Sequence, residues 1–212
     1  MVKHIRTVFI ISIMTCFAAF AETENPVAIA IHGGAGTILK ENMTPEEEKQ
    51  YRSVLKQAVE HGYSLLKKGA PGEQAVIETI QILESSPLFN AGIGAVYTFD
   101  EEHELDASIM HGGTKNAGAV AGVKRIRSPI AAASDVMNHS AHVLLSGEGA
   151  EMFAQKQGLE MVDNTAFDTP HRLEALKRAK ERMSNAALTD GGQQGNERFG
   201  TVGAVVLDAM GN

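Results

Sequence analysis

Strand-like and helix-like stretches alternate along this chain, which predicts a mixed α/β (α+β) fold in which helices pack on sheets. Short apolar runs next to glycine occur at residues 27–31 and 202–207, and longer amphipathic runs lie between them. Hydrophobic residues make up 43% of the 212, so one domain of ordinary size can bury a core.

The charge balance argues against nucleic acid as a partner. The chain carries 19 Lys and Arg against 26 Asp and Glu, a net charge of −7, whereas binding to phosphates requires a basic surface. Trp is absent and aromatic residues are 5% of the chain, which disfavours platforms for base stacking.

The N-terminus has the pattern of a secretory signal peptide. Basic residues at positions 3–6 precede an apolar stretch at 7–20, and the sequence AFA at 19–21 resembles a cleavage site. We therefore expect residues 1–21 to be removed and the protein to be secreted or periplasmic, without membrane contact afterwards. An uncleaved membrane anchor is the alternative. Cys16, the only cysteine, lies in this segment, so the mature chain has no disulfide, Cys-based metal site or Cys nucleophile.

Two helices are predicted after the first strand. Thr44, Pro45 and Glu47 form a capping box with proline at the first helical position, and Gly69 ends the helix. Apolar residues at spacings of three and four give this helix one buried face. A second helix at about 73–84 ends before Pro87, because the residue before proline disfavours helical backbone.

The middle of the chain is predicted to contain a hairpin, a strand and three helices. Residues 95–99 and 105–110 are assigned to the hairpin, with the charged sequence DEEHE as its turn. Small residues at 116–123 predict a closely packed strand. Helices are predicted at about 128–138, capped by Ser128, and at 147–157 and 169–183. Residues 184–198, rich in Gly, Asn and Gln, predict a mobile linker.

Two glycine-containing loops could bind a ligand. HGGAG at residues 32–36 could bind an anion through backbone N–H groups, or form a tight turn that lets two backbones approach. The loop at 83–96 has many carbonyl groups without helical partners, which could hold a monovalent cation or meet water. The histidines lack the H-x-x-x-H and H-E-x-x-H spacings, so zinc is not expected.

Thr201 stands between Gly200 and an apolar strand, after the polar linker. A threonine at a strand start has an ordinary structural explanation, since Thr favours β-strands. Cleavage just before Thr201, however, would free an α-amine beside its hydroxyl. An α-amine with a pKa of about 7.7–8.0 can act as a general base near neutral pH, so this one residue could supply both nucleophile and base.

Six segments of the chain resemble the plant-type asparaginase and isoaspartyl peptidase family of N-terminal nucleophile hydrolases. These segments are AIHGGAG, LFNAGIGAV, HELDASIMHG, AGAVAGVKRIRSPI, HVLLSGEGAEMFA and GTVGAVVLDAMGN. The resemblance covers about residues 27–212 and implies a four-layer αββα sandwich made as one inactive precursor. In such a precursor, residues 22–200 are the α-subunit part, with the linker at 184–200, and residues 201–212 are the first strand of the β subunit.

The resemblance also implies a reaction on a small-molecule substrate. Gly200 would supply the carbonyl that Thr201 attacks during self-cleavage. Thr201 would then attack the side-chain amide of L-asparagine, or the β-peptide bond of an isoaspartyl dipeptide, and release aspartate. Asn90, Gly33 and Gly34 would support the active site. No organic cofactor is implied, but a structural sodium ion would be held by the backbone carbonyl groups of Leu83, Glu84, Ser86, Phe89, Ala91 and Ile93.

The resemblance implies an assembly of two α and two β subunits. The family continues well beyond the threonine, and this sequence contains only residues 201–212 of that part. We therefore expect a fragment or a shortened gene product, inactive alone, because the family's residues for the substrate carboxylate and the oxyanion lie in the later part. Two alternatives stay open: an aspartylglucosaminidase-like amidase that cleaves asparagine from sugar, and a non-catalytic fragment.

Overall fold

A computed structural model describes residues 25–34, 43–188 and 200–212 of the chain. The predicted signal peptide lies outside these residues, as does the linker from 189 to 199. The described residues contain five strands and five α-helices: β1 (Ala28–His32), α1 (Pro45–Lys67), α2 (Gly72–Glu84), β2 (Leu105–Met110), β3 (Ala117–Val123), α3 (Pro129–His139), β4 (Leu144–Ser146), α4 (Gly147–Gln157), α5 (Pro170–Leu188) and β5 (Gly203–Leu207).

The strands form two small sheets that the helices cover. β1 pairs antiparallel with β5, with His32 opposite Gly203, while β2 pairs antiparallel with β3, which pairs in parallel with β4. Helices α1 and α2 pack on the first sheet, and α3 and α4 pack on the second. This mixture of helices and sheets agrees with the predicted fold class. Within the described ranges, no helix is both long and apolar enough to cross a bilayer.

Apolar side chains between the helices and strands form the core. Phe89, Leu83 and Ile109 belong to a cluster that joins α1, α2, β2 and α3, and Phe167 and Val120 belong to a second cluster beneath α3 and α4. Burial of each large apolar side chain contributes about 1.5–3 kcal/mol. These clusters fix the helices relative to both sheets.

The predicted helix starts are partly confirmed. At α1, the Glu47 N–H donates to Thr44 Oγ1 (3.2 Å) and the Thr44 N–H donates to Glu47 Oε2 (2.8 Å), which completes the capping box. The expected cap of α3 is wrong, since Ser128 makes no side-chain bond to its own helix. Its hydroxyl instead donates to Glu84 Oε2 (2.6 Å), and Glu84 Oε1 accepts from Ile130 N (3.0 Å). The buried carboxylate of Glu84 therefore caps α3 and ties it to α2.

The predicted hairpin of residues 95–99 with 105–110 is also wrong. Only the second part is a strand, and β2 pairs with β3. Side chains and turns take backbone groups of the first part: Val96 N–H donates to Asn90 Oδ1 (2.9 Å), the Val96 carbonyl contacts His103 Nδ1 (3.2 Å), and Thr98 N–H donates to the Glu102 carbonyl (2.7 Å). A chain whose polar groups are taken in this way has little left for a sheet ladder.

The last helix and the last strand have bounds that differ from the predicted ones. Helix α5 continues to Leu188, so the first five residues of the linker predicted at 184–198 are helical. Strand β5 begins at Gly203 rather than directly after Thr201. Strand β4 was not predicted, because three residues are too short to show a period of two.

Asp208 joins the end of β5 to the start of α2. Its carboxylate is buried and accepts from Gly72 N (3.0 Å), Met210 N (2.9 Å) and Asn212 N (2.9 Å). Burial alone would raise the pKa of Asp208, but these backbone donors outweigh burial and hold the pKa below its ordinary value.

We predict that Asp208→Ala lowers the free energy of unfolding by about 1–3 kcal/mol, since three N–H groups lose a charged acceptor. A lowered folded-state pKa means that this stabilisation is present above the unfolded pKa and is lost as the pH falls through the folded one. Urea unfolding from neutral to acid pH should therefore show wild type and variant converging at low pH. Asp163→Ala, at an exposed position, is the control and should change stability by less than about 0.5 kcal/mol.

Candidate active site

Thr201 lies at the entrance to a cavity of about 710 Å³ between β5, α2 and β2. Thr201 itself is exposed, whereas Val202 and Ala204, which follow it, pack against the apolar cluster of α1, α2 and α3. Val76 and Ile80 of α2 line the same cavity. We call this space the Thr201 cavity.

Asn90 lines the Thr201 cavity together with Thr201. Its side-chain oxygen accepts the Val96 N–H at 2.9 Å, which fixes the amide plane. The structure brings together at one cavity two residues that lie far apart in the sequence and that are both predicted to belong to the active site. The catalytic roles of both residues stay predictions.

The glycines of the first loop lie where close packing requires them. A side chain at Gly33 would meet Leu55 Cδ2 and Phe89 Cε1, each 3.1 Å from the Cβ position, and Gly34 has a φ of 125°, which favours glycine. Phe89 belongs to the loop that follows α2. The start of the first loop thus packs against a side chain of the second, and both interpretations of HGGAG stay predictions.

His32 is a residue of this site that sequence analysis did not assign. Its Nδ1 lies 3.0 Å from the backbone carbonyl oxygen of Thr201 and 3.2 Å from Gly34 N. One nitrogen cannot donate to the carbonyl and accept from the amide at once, so the protonation of Nδ1 decides which bond forms. With Nδ1 protonated, His32 fixes the carbonyl of the predicted nucleophile.

The loop after α2 curls tightly on itself. A side chain at Gly94 would lie 2.8 Å from the Pro87 carbonyl oxygen and closer still to that of Phe89. A side chain at Gly92 would likewise overlap the Glu84 carbonyl group. Carbonyl oxygens of this loop therefore crowd its interior, where only glycine leaves room.

The six carbonyls predicted to bind sodium have the donor chemistry that this ion requires, and the site stays a prediction. Those of Leu83 and Ala91 already accept a backbone N–H, from Ser86 and Gly94 respectively, each at 3.1 Å. A carbonyl oxygen has two lone pairs and can accept one N–H and still face a cation. Neutral oxygen donors without sulfur or imidazole suit a hard cation. In the parts of the chain that the structure describes, no three His, Cys, Asp or Glu side chains gather as a metal site would.

The Thr201 cavity continues into a second cavity of about 340 Å³, and Val76, Ser108 and Ala204 line both. In the described residues, β5 pairs with β1 alone and β2 with β3 alone, so the two cavities run between two strand edges. Apolar side chains around them are exposed, including Val205 (73%) and Met110 (63%). The slot is open, and its lining mixes such apolar side chains with polar ones, among them Glu104 and Asp106.

Comparison with known proteins places the chain in a family. A family model described as asparaginase matches residues 25–212, and this chain belongs to the asparaginase family. That match confirms the resemblance inferred from the six sequence segments.

Similar proteins of known name agree with this family. The isoaspartyl peptidase of Salmonella typhimurium is 48% identical over 190 residues, which are 89% of this chain and 60% of that protein. The isoaspartyl peptidase of Escherichia coli is 46% identical, over 87% of this chain and 58% of that protein. The plant-type L-asparaginase of Pyrococcus furiosus is 45% identical, over 72% of this chain and 48% of that protein. The chain thus spans about half to three fifths of the length of these relatives.

Proposed function

We propose that this chain is the α-subunit part and the start of the β-subunit part of an amidohydrolase precursor that releases L-aspartate from isoaspartyl dipeptides and L-asparagine. The observation that supports it most is the position of Thr201 at the entrance of a cavity shared with Asn90, directly after Gly200. The names of the similar proteins support the same substrate class.

Self-cleavage is proposed at the Gly200–Thr201 bond. The Thr201 hydroxyl attacks the Gly200 carbonyl carbon, an ester to Thr201 Oγ forms, and the Gly200–Thr201 C–N bond breaks as the nitrogen takes a proton. Water then hydrolyses the ester, which leaves a carboxylate at Gly200 and a free amine at Thr201. The His32 contact to the Thr201 carbonyl (3.0 Å) would hold the attacking residue in place.

Turnover reuses the same hydroxyl. The Thr201 α-amine takes the hydroxyl proton while the oxygen attacks the substrate's side-chain carbonyl. The leaving nitrogen departs with a proton as ammonia or as the amine of the second amino acid, and water releases aspartate from the acyl-enzyme. Atoms and protons balance without a redox partner.

Strands of the β subunit are proposed to pair with the edges of β5 and β2 along the second cavity, which leaves the space beside Thr201 and Asn90 open to substrate. Strands in a sheet lie about 4.8 Å apart, and the slot has a strand edge on either side and α2 beside it. The exposed apolar side chains along it, among them Val205 and Met110, would then be buried. An assembly of two α and two β subunits is proposed from the resemblance.

The activity is tested with the protein as its gene encodes it. Purified protein should release aspartate from β-aspartyl-leucine and from L-asparagine, with enzymatic detection of aspartate. Release of aspartate from glycosylated asparagine alone would favour the aspartylglucosaminidase-like alternative. Absence of release from all three substrates by correctly folded protein would contradict the proposal.

A sodium ion is proposed to stabilise the loop after α2, held by the carbonyl groups named above. We predict that replacing sodium by choline at constant ionic strength lowers the melting temperature, because the crowded carbonyl oxygens then lose a cation. Zinc should not restore the loss. An unchanged melting temperature would argue that the loop needs no ion.

Export is proposed from residues 1–21 alone. N-terminal sequencing of protein recovered from the natural host should find a start near Glu22. Recovery of an uncleaved N-terminus in the membrane fraction would favour the anchor.

A further inference from the structure

We infer that His103 and Asp168 are positioning residues that hold the segment of residues 90–96, and through it Asn90, at the Thr201 cavity. The inference rests on the proposed function, since it assigns these two residues a part in the reaction at Thr201. Neither residue lines the cavity. They act on it through a chain of hydrogen bonds.

The chain of bonds runs from the cavity to the segment before α5. Asn90 Oδ1 accepts from Val96 N at 2.9 Å, and the Val96 carbonyl oxygen lies 3.2 Å from His103 Nδ1. His103 Nε2 in turn lies 3.2 Å from Asp168 Oδ1. Val96 therefore connects Asn90 to His103, because its N–H bonds to the Asn90 side chain and its carbonyl contacts the His103 ring.

Both ring nitrogens of His103 face oxygen atoms that accept hydrogen bonds. A backbone carbonyl can only accept, and an ionised carboxylate can only accept. Each ring nitrogen can hold its oxygen atom by donating a hydrogen bond, Nδ1 to the Val96 carbonyl and Nε2 to Asp168. His103 is fully buried, so its ring nitrogens need hydrogen-bond partners within the protein.

The surroundings of the ring fit this arrangement. Tyr97 stacks on His103 with ring centres 4.1 Å apart, and Phe167 meets it edge-on at 6.1 Å. Burial, then a hydrogen bond to Asp168 and the negative charges of Asp168 and Glu101, raise the pKa of Tyr97 to about 12. Tyr97 therefore stays neutral and donates to Asp168. Asp168 and Glu101 are the charged groups that act on Tyr97, and Glu101 in turn pairs with Lys180 at 2.7 Å.

The backbone on both sides of the cluster is held independently. Asn164 accepts from His103 N and donates to the His103 carbonyl, each at 2.9 Å. Arg172, at the start of α5, donates from Nε to the Gly94 carbonyl at 2.6 Å. The ring of His103 is thus presented from a fixed backbone, and its removal should release Val96 without displacing residue 103.

The test compares His103→Phe with Asp168→Asn. Phenylalanine keeps the stacking on Tyr97 but removes both hydrogen bonds, so kcat and the rate of self-cleavage should fall by about tenfold or more with KM nearly unchanged, as expected for a misplaced active-site group. Asparagine at 168 can donate to a neutral ring whose Nδ1–H still reaches Val96, so activity should stay within about threefold. His139→Phe is the matched control, since His139 pairs with Asp135 at 3.1 Å on the exposed side of α3; it should leave both rates unchanged.

Two measurements decide the inference without turnover. Nitrogen-15 NMR of the histidine rings should show a hydrogen bond from His103 Nδ1 in the wild type, and this bond should be kept in Asp168→Asn. Hydrogen exchange at the Val96 amide should accelerate by tenfold or more in His103→Phe and in Asp168→Ala, a second variant at a half-exposed position that should fold.

The outcomes of these experiments distinguish a failure of the proposed function from a failure of the inference about His103 and Asp168. A wild-type protein that neither cleaves itself nor releases aspartate contradicts the proposed function, while the Val96 exchange still decides whether His103 holds Asn90. Unchanged exchange at Val96, or a His103 Nδ1 that makes no hydrogen bond in the wild type, overturns the inference. So does His103→Phe with wild-type kcat and self-cleavage.

Discussion

Thr201→Ala should abolish both self-cleavage and hydrolysis, because one hydroxyl serves both reactions. We expect the variant to stay as an uncut chain and to lose aspartate release by at least about a thousandfold, the scale on which loss of a nucleophile acts. Thr201→Ser keeps a hydroxyl and should retain part of each activity. Gel electrophoresis over time and an aspartate assay measure the two reactions.

The effect of Thr201→Ala should not come from misfolding. Thr201 is exposed and precedes β5, so removal of its methyl and hydroxyl groups leaves the core intact. Thr165→Ala, at another exposed threonine, is the matched control and should cleave and turn over normally. Normal self-cleavage by Thr201→Ala would place the nucleophile elsewhere.

Gly92→Ala should be the most destabilising of the single substitutions considered. Its Cβ would lie 2.8 Å from the Glu84 carbonyl carbon and closer to the oxygen, and the φ of 51° disfavours any side chain. The atoms in the way are backbone at the end of α2, which cannot rotate aside. We expect a loss of about 2–5 kcal/mol in the free energy of unfolding, from overpacking and left-handed backbone together.

The control for Gly92→Ala is Gly149→Ala. Gly149 lies in α4, and no heavy atom other than its neighbours comes within 4 Å of its Cβ position. Alanine there should stabilise the protein by about 0.4–1 kcal/mol, since it restricts the unfolded chain. Urea unfolding measures the stability of both variants. An unfolding midpoint of Gly92→Ala equal to that of the wild type would show that the loop is not packed as described.

Local signals predicted the helices well. The capping box fixed the start of α1 because Thr44 and Glu47 are three residues apart and the bonds form within one turn. Glycine and proline fixed the ends of α1 and α2 for the same reason. Helix α4 has the predicted bounds, Gly147–Gln157.

Features that depend on distant partners were not predictable. The segment at 95–99 has the composition of a strand, yet its residue Val96 donates its N–H to Asn90, and the Val96 carbonyl contacts His103. Ser128 looked like a cap, but Glu84, 44 residues earlier, takes that role. Nothing in a local pattern shows such pairings.

In the candidate site, too, contacts between residues that lie far apart in the sequence were not predictable. The position of Thr201 after Gly200 and a family resemblance predict Thr201, the resemblance alone predicts Asn90, and the structure places both at one cavity. No sequence pattern assigns a role to His32, although its ring contacts the Thr201 carbonyl across 169 residues of sequence. His103 and Asp168 carried no sequence signal, since 65 residues separate them.

The central claim is that Thr201 becomes an N-terminal residue. Intact-mass spectrometry and N-terminal sequencing of the purified protein, as its gene encodes it, test this most directly. We predict two polypeptides, one ending at Gly200 and one beginning at Thr201. A single uncut chain, or a cut within residues 184–198 that leaves Thr201 internal, would contradict the account.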